Sequence, residues 1–336
     1  MTTFLVTGGA GFIGSHLTDS LVRDGHAVIV LDDLSAGSRD NLSRSLGSGR
    51  VELVEASVLD SGIVDDCVRA ADVCVHLAAR LGVRQIVGHP LGALRENVLG
   101  VDVVMSAAAR HRRRLLFSSS SEVYGKVNRY GLTEVDDRLL GSPAKSRWSY
   151  AIAKQYGEAL AHAYAKERGV QMTVVRLFNT VGARQSNAYG MVLPRFVAQA
   201  LAGEPLTVYG DGRQTRCFTD VRDVVRALRL LLDCDAAGAF NIGSSRSVRV
   251  LDLAKLVVEQ TVSASPIVFV PYERAHPAGF EELGNRSPDT SALRELTGWV
   301  TEWAVEQTIA SVMQFQLSRA PVAPLPVTFA TARKAA

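Results

Sequence analysis

The chain has 336 residues, of which 37 are Lys or Arg and 34 are Asp or Glu, for a formal net charge of +3. At about 150 residues per domain, this length predicts two domains. A hydrophobic fraction of 47% with 21% charged residues excludes a disordered or fibrous chain. The balanced charge argues against a protein that coats nucleic acid, which would show a strong basic excess.

The cysteines and the chain start indicate the cellular compartment. No two cysteines form a CxxC pair, so we expect reduced, mostly buried thiols and no disulfide framework or metal site. Glycines interrupt the apolar start, which lacks a cationic beginning, and no run of about 18 apolar residues occurs elsewhere. We therefore predict a soluble cytoplasmic protein without a membrane partner. The four cysteines are Cys67, Cys74, Cys217 and Cys234.

Short apolar runs alternate with longer amphipathic stretches in the first half of the chain. This alternation is typical of βαβ units, in which helices cover a parallel sheet. The predicted strands lie at 4–6, 27–31, 51–54, 73–77, 115–117 and 173–178, with helices at 12–24 and 91–111.

After about residue 180 the pattern becomes less regular, with a predicted helix at 192–201, a second at 220–232 and a strand at 240–242. The fold prediction is α/β, with a doubly wound parallel sheet of the Rossmann type and a smaller, mixed α/β substrate lobe towards the C-terminus. The predicted nucleotide domain covers 1–180 and 218–243, the lobe covers 181–217 and 244–315, and 316–336 form a loose tail.

The basic run at 110–114 is the sharpest cluster of charge in the sequence. Because the whole chain is nearly neutral, we interpret it as a solvated helix end before the next strand, where the helix dipole favours cations. A nucleic-acid partner is the disfavoured alternative.

A glycine-rich turn between the first predicted strand and helix indicates a dinucleotide site. Gly8 and Gly11 permit a tight turn and bring backbone N–H groups close to a pyrophosphate, and Gly14 permits close helix–strand packing. Asp32 follows the second predicted strand, 18 residues after Gly14. A carboxylate there accepts hydrogen bonds from an adenosine ribose diol and repels a 2′-phosphate, which favours NAD over NADP.

Tyr150 and Lys154 are the candidate catalytic pair, since residues four apart share one face of a helix. The ammonium and a positive nicotinamide are predicted to lower the pKa of Tyr150, and its phenolate then accepts a proton from a substrate hydroxyl. This spacing also occurs by chance. Serines 118–121 follow a predicted strand and supply hydroxyls to the same site, although such a run also suits a polar turn, and Glu122 is a second candidate acid or base.

Together these motifs resemble the extended short-chain dehydrogenase/reductase superfamily, in its NAD-dependent nucleotide-sugar epimerase/dehydratase branch. The resemblance extends from about residue 3 to 312 and includes 7–14, 76–79, 118–125, 176–180 and 205–220. It implies that Ser120 and Tyr150 are catalytic and that Lys154 supports Tyr150. The NAD-binding residues that it implies, besides Tyr150 and Lys154, are Gly8, Gly11, Phe12, Ile13, Asp32, Ser57, Val58, Leu77, Ala78, Ala79 and Asn97.

Two positions depart from this family pattern. Ser57 stands where the family often has an Asp that contacts the adenine, and Arg80 follows Ala79 at a variable position with no assigned role. The resemblance also implies a homodimer formed through helices near 100–111 and 150–167.

A nucleotide-sugar pocket requires hydrogen-bonding edges, packing surfaces and cations, which the irregular lobe offers. Arg216 matches the phosphate-binding arginine of the family, and an arginine fork suits phosphate geometry. For Arg195 the alternative is a solvent-exposed helix residue. The predicted substrate-binding residues are Ser121, Asn179, Leu193, Arg195, Tyr209, Gln214, Arg216 and Arg286.

The stretch 279–289, with Glu122 and 147–150, resembles the UDP-glucuronate decarboxylases. In them the residues that match Glu122 and Arg286 lie close to the sugar carboxylate, which needs a cationic partner when it is buried. A hexuronate is therefore the expected substrate. The alternative for Arg286 is a structural ion pair.

Oxidation of such a sugar at C4 leaves three outcomes open. The first expectation is a redox-neutral, NAD-dependent UDP-sugar 4-epimerase that interconverts UDP-glucuronate and UDP-galacturonate. Loss of CO2 from the 4-keto intermediate is the alternative, and 4,6-dehydration is the third. A non-catalytic NAD-binding protein is disfavoured because Ser120, Tyr150 and Lys154 are all present.

Overall fold

The computed structural model describes residues 1–80, 82, 88–187, 191–275 and 284–319. One seven-stranded parallel sheet forms its centre, and every strand pairs with its neighbours in parallel. The seven strands are β1 (Thr3–Thr7), β2 (Ala27–Leu31), β3 (Val51–Val54), β4 (Val73–His76), β5 (Arg114–Ser120), β7 (Met172–Leu177) and β12 (Gly238–Ile242).

The spatial order of this sheet is β12-β7-β5-β4-β1-β2-β3. The chain therefore winds outward in one direction from β1 and in the other from β4. Ligands of such sheets bind at the carboxyl ends of the strands where the winding direction changes. The predicted Rossmann-type α/β fold is confirmed, and its crevice lies between β1 and β4.

Helices cover both faces of the sheet. The apolar core on one face contains residues of α1 and α7, and the core on the other contains residues of α3, α4 and α5. Strands buried on both faces need apolar residues throughout, which explains their continuous runs of Val, Ile and Leu. The described α-helices between residues 12 and 233 are α1 (Phe12–Arg23), α2 (Ser43–Leu46), α3 (Ser61–Ala70), α4 (Pro90–Arg110), α5 (Ser149–Arg168), α6 (Val192–Leu201) and α7 (Val221–Asp233).

The smaller lobe has its own apolar core, built by α6, α8 (Val250–Gln260) and α11 (Val305–Arg319). Its strands β9 (Leu206–Tyr209) and β14 (Ile267–Val270) pair in parallel. The remaining elements are β6 (Arg129–Leu132), β8 (Thr180–Val181), β10 (Thr215–Cys217), β11 (Thr219–Asp220), β13 (Ser247–Arg249), β15 (Arg286–Pro288), α9 (Tyr272–Ala275) and α10 (Ser291–Thr297).

Short strand pairs connect the lobe to the large domain. β15 pairs with β6, which places Arg286 next to the segment that follows β5. β11 pairs in parallel with β8, directly after β7. These pairs bring the lobe to the carboxyl edge of the main sheet, where the crevice lies.

Some predicted boundaries differ from those in the structure, and others concern residues that the structure does not describe. Residues 316–319, assigned to the tail, belong to α11, because the helix runs to Arg319. Residues 320–336 and residues 279–283 of the decarboxylase-like stretch lie outside the described residues. The predicted strand at 115–117 extends as β5 to Ser120, which carries the serines into the sheet edge.

The basic run is a helix end before β5, as predicted. Arg110 and His111 pair with Asp65, and Arg114 pairs with Asp235. Acidic neighbours therefore offset much of this charge. All four cysteines are free thiols, and three of them are buried. Among the described helices, none combines the length and apolar character that a membrane span requires.

Candidate active site

The glycine-rich turn after β1 packs so tightly against neighbouring backbone that a side chain at Gly8 or Gly14 would not fit. Gly8 has φ of +70°, and a Cβ there would lie 2.7 Å from the backbone nitrogen of Ala78. At Gly14, in the first turns of α1, a Cβ would lie 2.2 Å from the Gly8 carbonyl oxygen. Gly11 caps the helix without a side-chain hydrogen bond. The backbone N–H groups of this helix start suit a pyrophosphate, so the turn fits a dinucleotide.

Asp32 connects the end of β2 to this turn. Its carboxylate accepts hydrogen bonds from the backbone N–H groups of Ala10 and Leu34, each at 2.9 Å. Burial raises the pKa of Asp32, although these backbone hydrogen bonds oppose the rise. The carboxylate is therefore fixed in orientation at the edge of the crevice, where the sequence predicts the adenosine ribose.

The end of β4 forms the opposite wall. The Thr7 hydroxyl lies 2.7 Å from Nδ1 of His76 and accepts a hydrogen bond from the Ala78 N–H at 3.3 Å. Asn97 of α4 accepts from the Arg80 N–H at 2.9 Å and donates to the Arg80 carbonyl at 3.1 Å. Asn97 thus holds the segment that follows β4.

The structure also describes the two positions that depart from the family pattern. The Arg80 side chain forms an ion pair with Glu96, with Nη2 3.2 Å from Oε1. The Ser57 hydroxyl accepts a hydrogen bond from the Leu59 N–H at 3.2 Å and so caps a local turn. Neither contact assigns a cofactor role, and adenine binding by Ser57 stays a prediction. The predicted neighbours Phe12, Ile13 and Leu77 pack partly buried against the core, as does Val58.

The predicted catalytic residues meet at the end of β5. The Ser120 side chain lies near enough to the Tyr150 phenol to favour its charged form, and the Lys154 ammonium donates to the Ser118 carbonyl at 2.7 Å. Lys154 Nζ lies 5.7 Å from the centre of the Tyr150 ring. Tyr150 and Lys154 are buried, so the reacting groups lie in a site with little water.

The predicted lowering of the Tyr150 pKa is wrong for the residues of the chain alone. Burial and the nearby charge of Glu122 raise the pKa of Tyr150, and the Ser120 side chain only partly opposes them. Burial also lowers the pKa of Lys154, to about 7, with Glu158 acting in the opposite direction. Desolvation disfavours the charged form of both groups and is the largest effect on each pKa.

The contacts of Glu122 do not favour the predicted role as an acid or base. Arg147 donates to both of its carboxylate oxygens, at 2.5 and 3.1 Å. Burial raises the pKa of Glu122, but the charges of Arg147, Arg286 and Arg216 outweigh it and leave the pKa below its usual value. At neutral pH the carboxylate is ionised and both oxygens are occupied, so a proton-transfer role is disfavoured.

Arg286 lies beside this pair. It is 8% exposed, and its Nη1 donates to the Ser121 carbonyl at 2.7 Å. Burial lowers its pKa to about 10, while Glu122 raises it. No salt bridge to Arg286 occurs within the described residues, so the structural ion pair weighed for it does not form there.

The other predicted substrate residues divide by what they contact. Leu193 is fully buried in the core of the smaller lobe, so its side chain is not available to a ligand, which corrects that prediction. Arg195 is not solvent-exposed, because it stacks 4.0 Å from the Tyr209 ring centre and donates to the Thr207 carbonyl at 2.9 Å. The Arg216 guanidinium interacts with Glu122 and Tyr272.

Asn179 and Gln214 brace the lobe. Asn179 donates to the Cys217 carbonyl at 3.3 Å, and Gln214 donates to the Tyr209 carbonyl at 3.0 Å. A ligand role for these two side chains, and for Tyr209, stays a prediction. The structure therefore brings Glu122, Ser120, Tyr150, Lys154 and Arg286 to one edge of the sheet, with Arg216 within electrostatic reach.

Sequence reasoning missed three residues of this region. The sequence places Arg147 and Arg176 within motifs without indicating what they contact, and it assigns no role to Glu158. Arg176 forms a bidentate pair with Glu158, at 3.0 and 2.9 Å. A signal for Glu158 was present, since it lies four residues after Lys154 and shares its helix face.

Comparisons with known proteins agree with this geometry. The family model described as "Epimerase: NAD dependent epimerase/dehydratase family" matches residues 4–243. A UDP-N-acetyl-alpha-D-glucosaminuronate decarboxylase of Bacillus cytotoxicus is 40% identical over 313 residues, which cover 93% of this chain and 96% of the relative. The UDP-glucuronic acid decarboxylase 1 of Danio rerio is 34% identical over 311 residues, covering 93% of this chain and 72% of the relative.

Among solved structures, the UDP-glucose 4-epimerase of Thermotoga maritima, determined with UDP-glucose, has a TM-score of 0.83 and 30% identity. The match covers 94% of this chain and 99% of that one. The glycine cradle, the fixed Asp32 carboxylate and the Tyr150–Lys154 pair fit the cofactor that the family model names. This chain therefore belongs to the NAD-dependent epimerase/dehydratase family of the extended short-chain dehydrogenase/reductase superfamily, and NAD is its cofactor.

Proposed function

We propose that the protein is a UDP-hexuronate decarboxylase of the cytoplasm, which converts a UDP-glucuronate-type substrate to the corresponding UDP-pentose and CO2. The observation that carries the proposal is the buried Arg286 guanidinium. The nearby Glu122 carboxylate favours the positive charge of Arg286. Both oxygens of this carboxylate, however, already accept hydrogen bonds from Arg147. Arg286 is thus suited to a second anion.

A hexuronate supplies that anion at the right end of the substrate. A buried cation without a full counter-charge is costly, and a carboxylate offsets the cost in a bidentate geometry. A neutral hexose has a hydroxyl at C6 and offers no charge. Arg216, in the smaller lobe, suits the diphosphate, as the family resemblance implies.

The relatives support decarboxylation ahead of epimerisation. Two relatives at 40% and 34% identity are named as decarboxylases of UDP-linked uronic acids. The 4-epimerase first expected is supported by a structural neighbour at 30% identity, whose fold is shared by both reactions. We therefore place the decarboxylase first and keep the 4-epimerase as the second candidate.

The chain's own residues provide the acid–base part of the reaction. NAD, when bound, supplies an acceptor for the C4 hydride and returns that hydride at the end. Tyr150 accepts the proton of the substrate's 4-hydroxyl, and Ser120, which lies beside Tyr150, orients that oxygen. Because the residues of the chain favour the neutral phenol, the positive charge of the nicotinamide is needed to favour the phenolate.

Oxidation at C4 makes the substrate a β-keto acid. The C5–C6 bond breaks, its electron pair moves towards the C4 carbonyl as CO2 leaves, and a proton from solvent adds at C5. Tyr150 then returns its proton to O4, so the sequence is redox-neutral. Arg286 attracts the carboxylate while the ionised Glu122 repels it, and together they set the angle of the C5–C6 bond to the C4 carbonyl.

The test is incubation with NAD and, separately, UDP-glucuronate, UDP-N-acetylglucosaminuronate and UDP-glucose, followed by mass spectrometry and NMR of the products. We expect one of the uronates to lose CO2 and UDP-glucose to remain unchanged. Arg286→Gln removes the cation and should abolish uronate turnover. An unchanged mass with inverted C4 would establish the 4-epimerase instead, and loss of water would establish a 4,6-dehydratase.

A further inference from the structure

One face of α5 carries three polar side chains at intervals of four residues: Tyr150, Lys154 and Glu158. Each meets one residue of 118–120, at the end of β5. The proposed reaction uses the contact of Tyr150, the family resemblance gives Lys154 a supporting role beside it, and the contact of Glu158 has no role so far. The Lys154 ammonium donates to the Ser118 carbonyl at 2.7 Å, the Ser119 hydroxyl donates to Glu158 Oε1 at 2.5 Å, and Ser120 lies beside Tyr150.

Glu158 is a buried carboxylate with an unusual number of donors. It is 4% exposed and accepts two hydrogen bonds from Arg176, at 3.0 and 2.9 Å. Arg138 donates to Oε2 at 2.8 Å from the more exposed side. Glu158 thus forms ion pairs with two arginines and places a negative charge one helical turn from Lys154.

Lys154 has few other groups to stabilise its charge. Its ammonium lies 4.9 Å from the Phe117 ring centre and 5.7 Å from that of Tyr150. From β4 it faces His76, which is neutral because burial lowers its pKa to about 3. Burial lowers the pKa of Lys154 to about 7. Among the charged groups of the described residues, Glu158 is the one that acts in the opposite direction and favours the ammonium. Arg176 of β7 and Arg138 contact Glu158 directly.

We propose that Glu158 is a positioning residue for the catalytic pair: its negative charge stabilises the Lys154 ammonium one helical turn away, and its bond to Ser119 fixes the end of β5 against α5. Both effects depend on one buried side chain whose hydrogen-bond partners among the described residues are Ser119, Arg138 and Arg176. Arg176 and Arg138 hold it in place and weaken its field at Lys154. This inference concerns the proton-transfer pair and holds for every reaction that begins by oxidation at C4.

The charge effect can be measured directly because the chain has only six lysines. We would label lysine with 13C at Cε, record the titration of Lys154 by NMR in the NAD-bound enzyme, and assign its signal with Lys154→Arg. Glu158→Gln should lower the midpoint by about one pH unit, since a nearby opposite charge is lost. Arg138→Gln should raise the midpoint, because it removes a positive charge from the same cluster. Arg69→Gln, an exposed arginine of α3, is the matched control and should leave it unchanged.

Opposite shifts are a result that a purely structural role would not produce. If both variants fold and leave the Lys154 midpoint unchanged, or shift it in the same direction, the electrostatic role is wrong. Should Glu158→Gln fail to fold, Arg138→Gln decides alone, because Arg138 is partly exposed and its loss leaves Arg176 in place. None of these titrations uses a substrate, so they stand whichever nucleotide sugar the enzyme converts.

Ser119→Ala tests the second effect separately. It removes the bond between the strand end and Glu158 but no charge, so the Lys154 midpoint should remain unchanged. We expect kcat to fall about tenfold with little change in KM, because a small displacement of Ser120 relative to Tyr150 weakens proton transfer. An unchanged kcat would overturn the proposed fixing of the strand.

Discussion

Tyr150 is the residue whose oxygen must gain and lose a proton in each turnover. Tyr150→Phe keeps the ring and removes the oxygen, so NAD binding should persist. We expect kcat to fall by about 10²–10⁴, the usual contribution of a positioned acid–base group. Chromatography of the nucleotide sugars measures turnover, and fluorescence titration measures NAD binding. Turnover within tenfold of the wild type would show that another group transfers the proton.

The Glu122–Arg147 pair makes a prediction about stability. Arg147→Met leaves a largely buried carboxylate without its main partner, which should lower the free energy of unfolding by about 2 kcal/mol at pH 7. In the double variant Glu122→Gln/Arg147→Met the unpaired carboxylate is absent, and part of the loss should be recovered. Urea unfolding at equilibrium gives both values. A double variant no more stable than Arg147→Met would show that the two residues are not coupled.

The same pair predicts a pH dependence. The pKa of Glu122 is held below its usual value in the folded protein, where Arg147 outweighs the opposing effect of burial. The ion pair therefore contributes fully to the free energy of unfolding at a pH above the pKa of Glu122 in the unfolded chain, about 4.3. This contribution is lost as the pH falls through the lower pKa of Glu122 in the folded protein. The difference between wild type and Arg147→Met should accordingly shrink below about pH 4.

At the scale of elements, the packing of α5 on β5 sets the geometry of the catalytic pair. Gly157 makes this packing possible, since a Cβ there would lie 2.5 Å from Cζ of Phe117. Gly157→Ala should lower the free energy of unfolding by about 1–3 kcal/mol through overpacking, and should reduce kcat by displacing Tyr150.

Gly92 offers a matched control for this change. It lies in α4 with no atom close to the position of an added Cβ, so Gly92→Ala should stabilise the protein by up to about 1 kcal/mol through helix propensity. Thermal unfolding of both variants measures the difference. If Gly157→Ala were as stable as Gly92→Ala, α5 would have room to move on β5.

The elements also show which features were predictable. The glycine turn, Asp32 and the Tyr150–Lys154 pair depend on short spacings next to strand and helix ends, which the sequence displays directly. Glu122 and Arg147 are 25 residues apart, so their pairing depends on how the loop before α5 folds, and no local pattern encodes it. The sequence also could not weigh burial against charge, so it gave no sign that burial raises the pKa of Tyr150 in the chain without NAD.

Over the whole molecule, the large domain and the smaller lobe pack around separate apolar cores and meet at the edge where the strands of the main sheet end. The large domain supplies the glycine turn and the catalytic pair, and β15 brings Arg286 from the far end of the chain to β6. The site is thus complete only when both parts are folded against each other. Substitutions within the lobe's core, such as at Leu193, should therefore affect substrate binding before NAD binding.

The predicted homodimer is the remaining question at this scale. Leu99 of α4 is 43% exposed and Tyr156 of α5 is 40% exposed, on two helices that pack against each other. Large apolar side chains on adjacent helices fit the expected contact with a second copy. We expect light scattering after size exclusion to give twice the mass of one chain. Tyr156→Arg places a charge in that contact and should weaken the dimer about a hundredfold.

Phe269→Arg is the matched control for this variant, because Phe269 is 55% exposed on β14 of the smaller lobe, away from both helices. It should leave the mass unchanged, whereas Tyr156→Arg should give the mass of a single chain at micromolar concentration. Since α5 carries Tyr150 and Lys154, a dimer through this helix would also restrain the catalytic pair, and the monomeric variant should then show a lower kcat. A wild-type mass of one chain, or a Tyr156→Arg dimer, would exclude these helices as the interface.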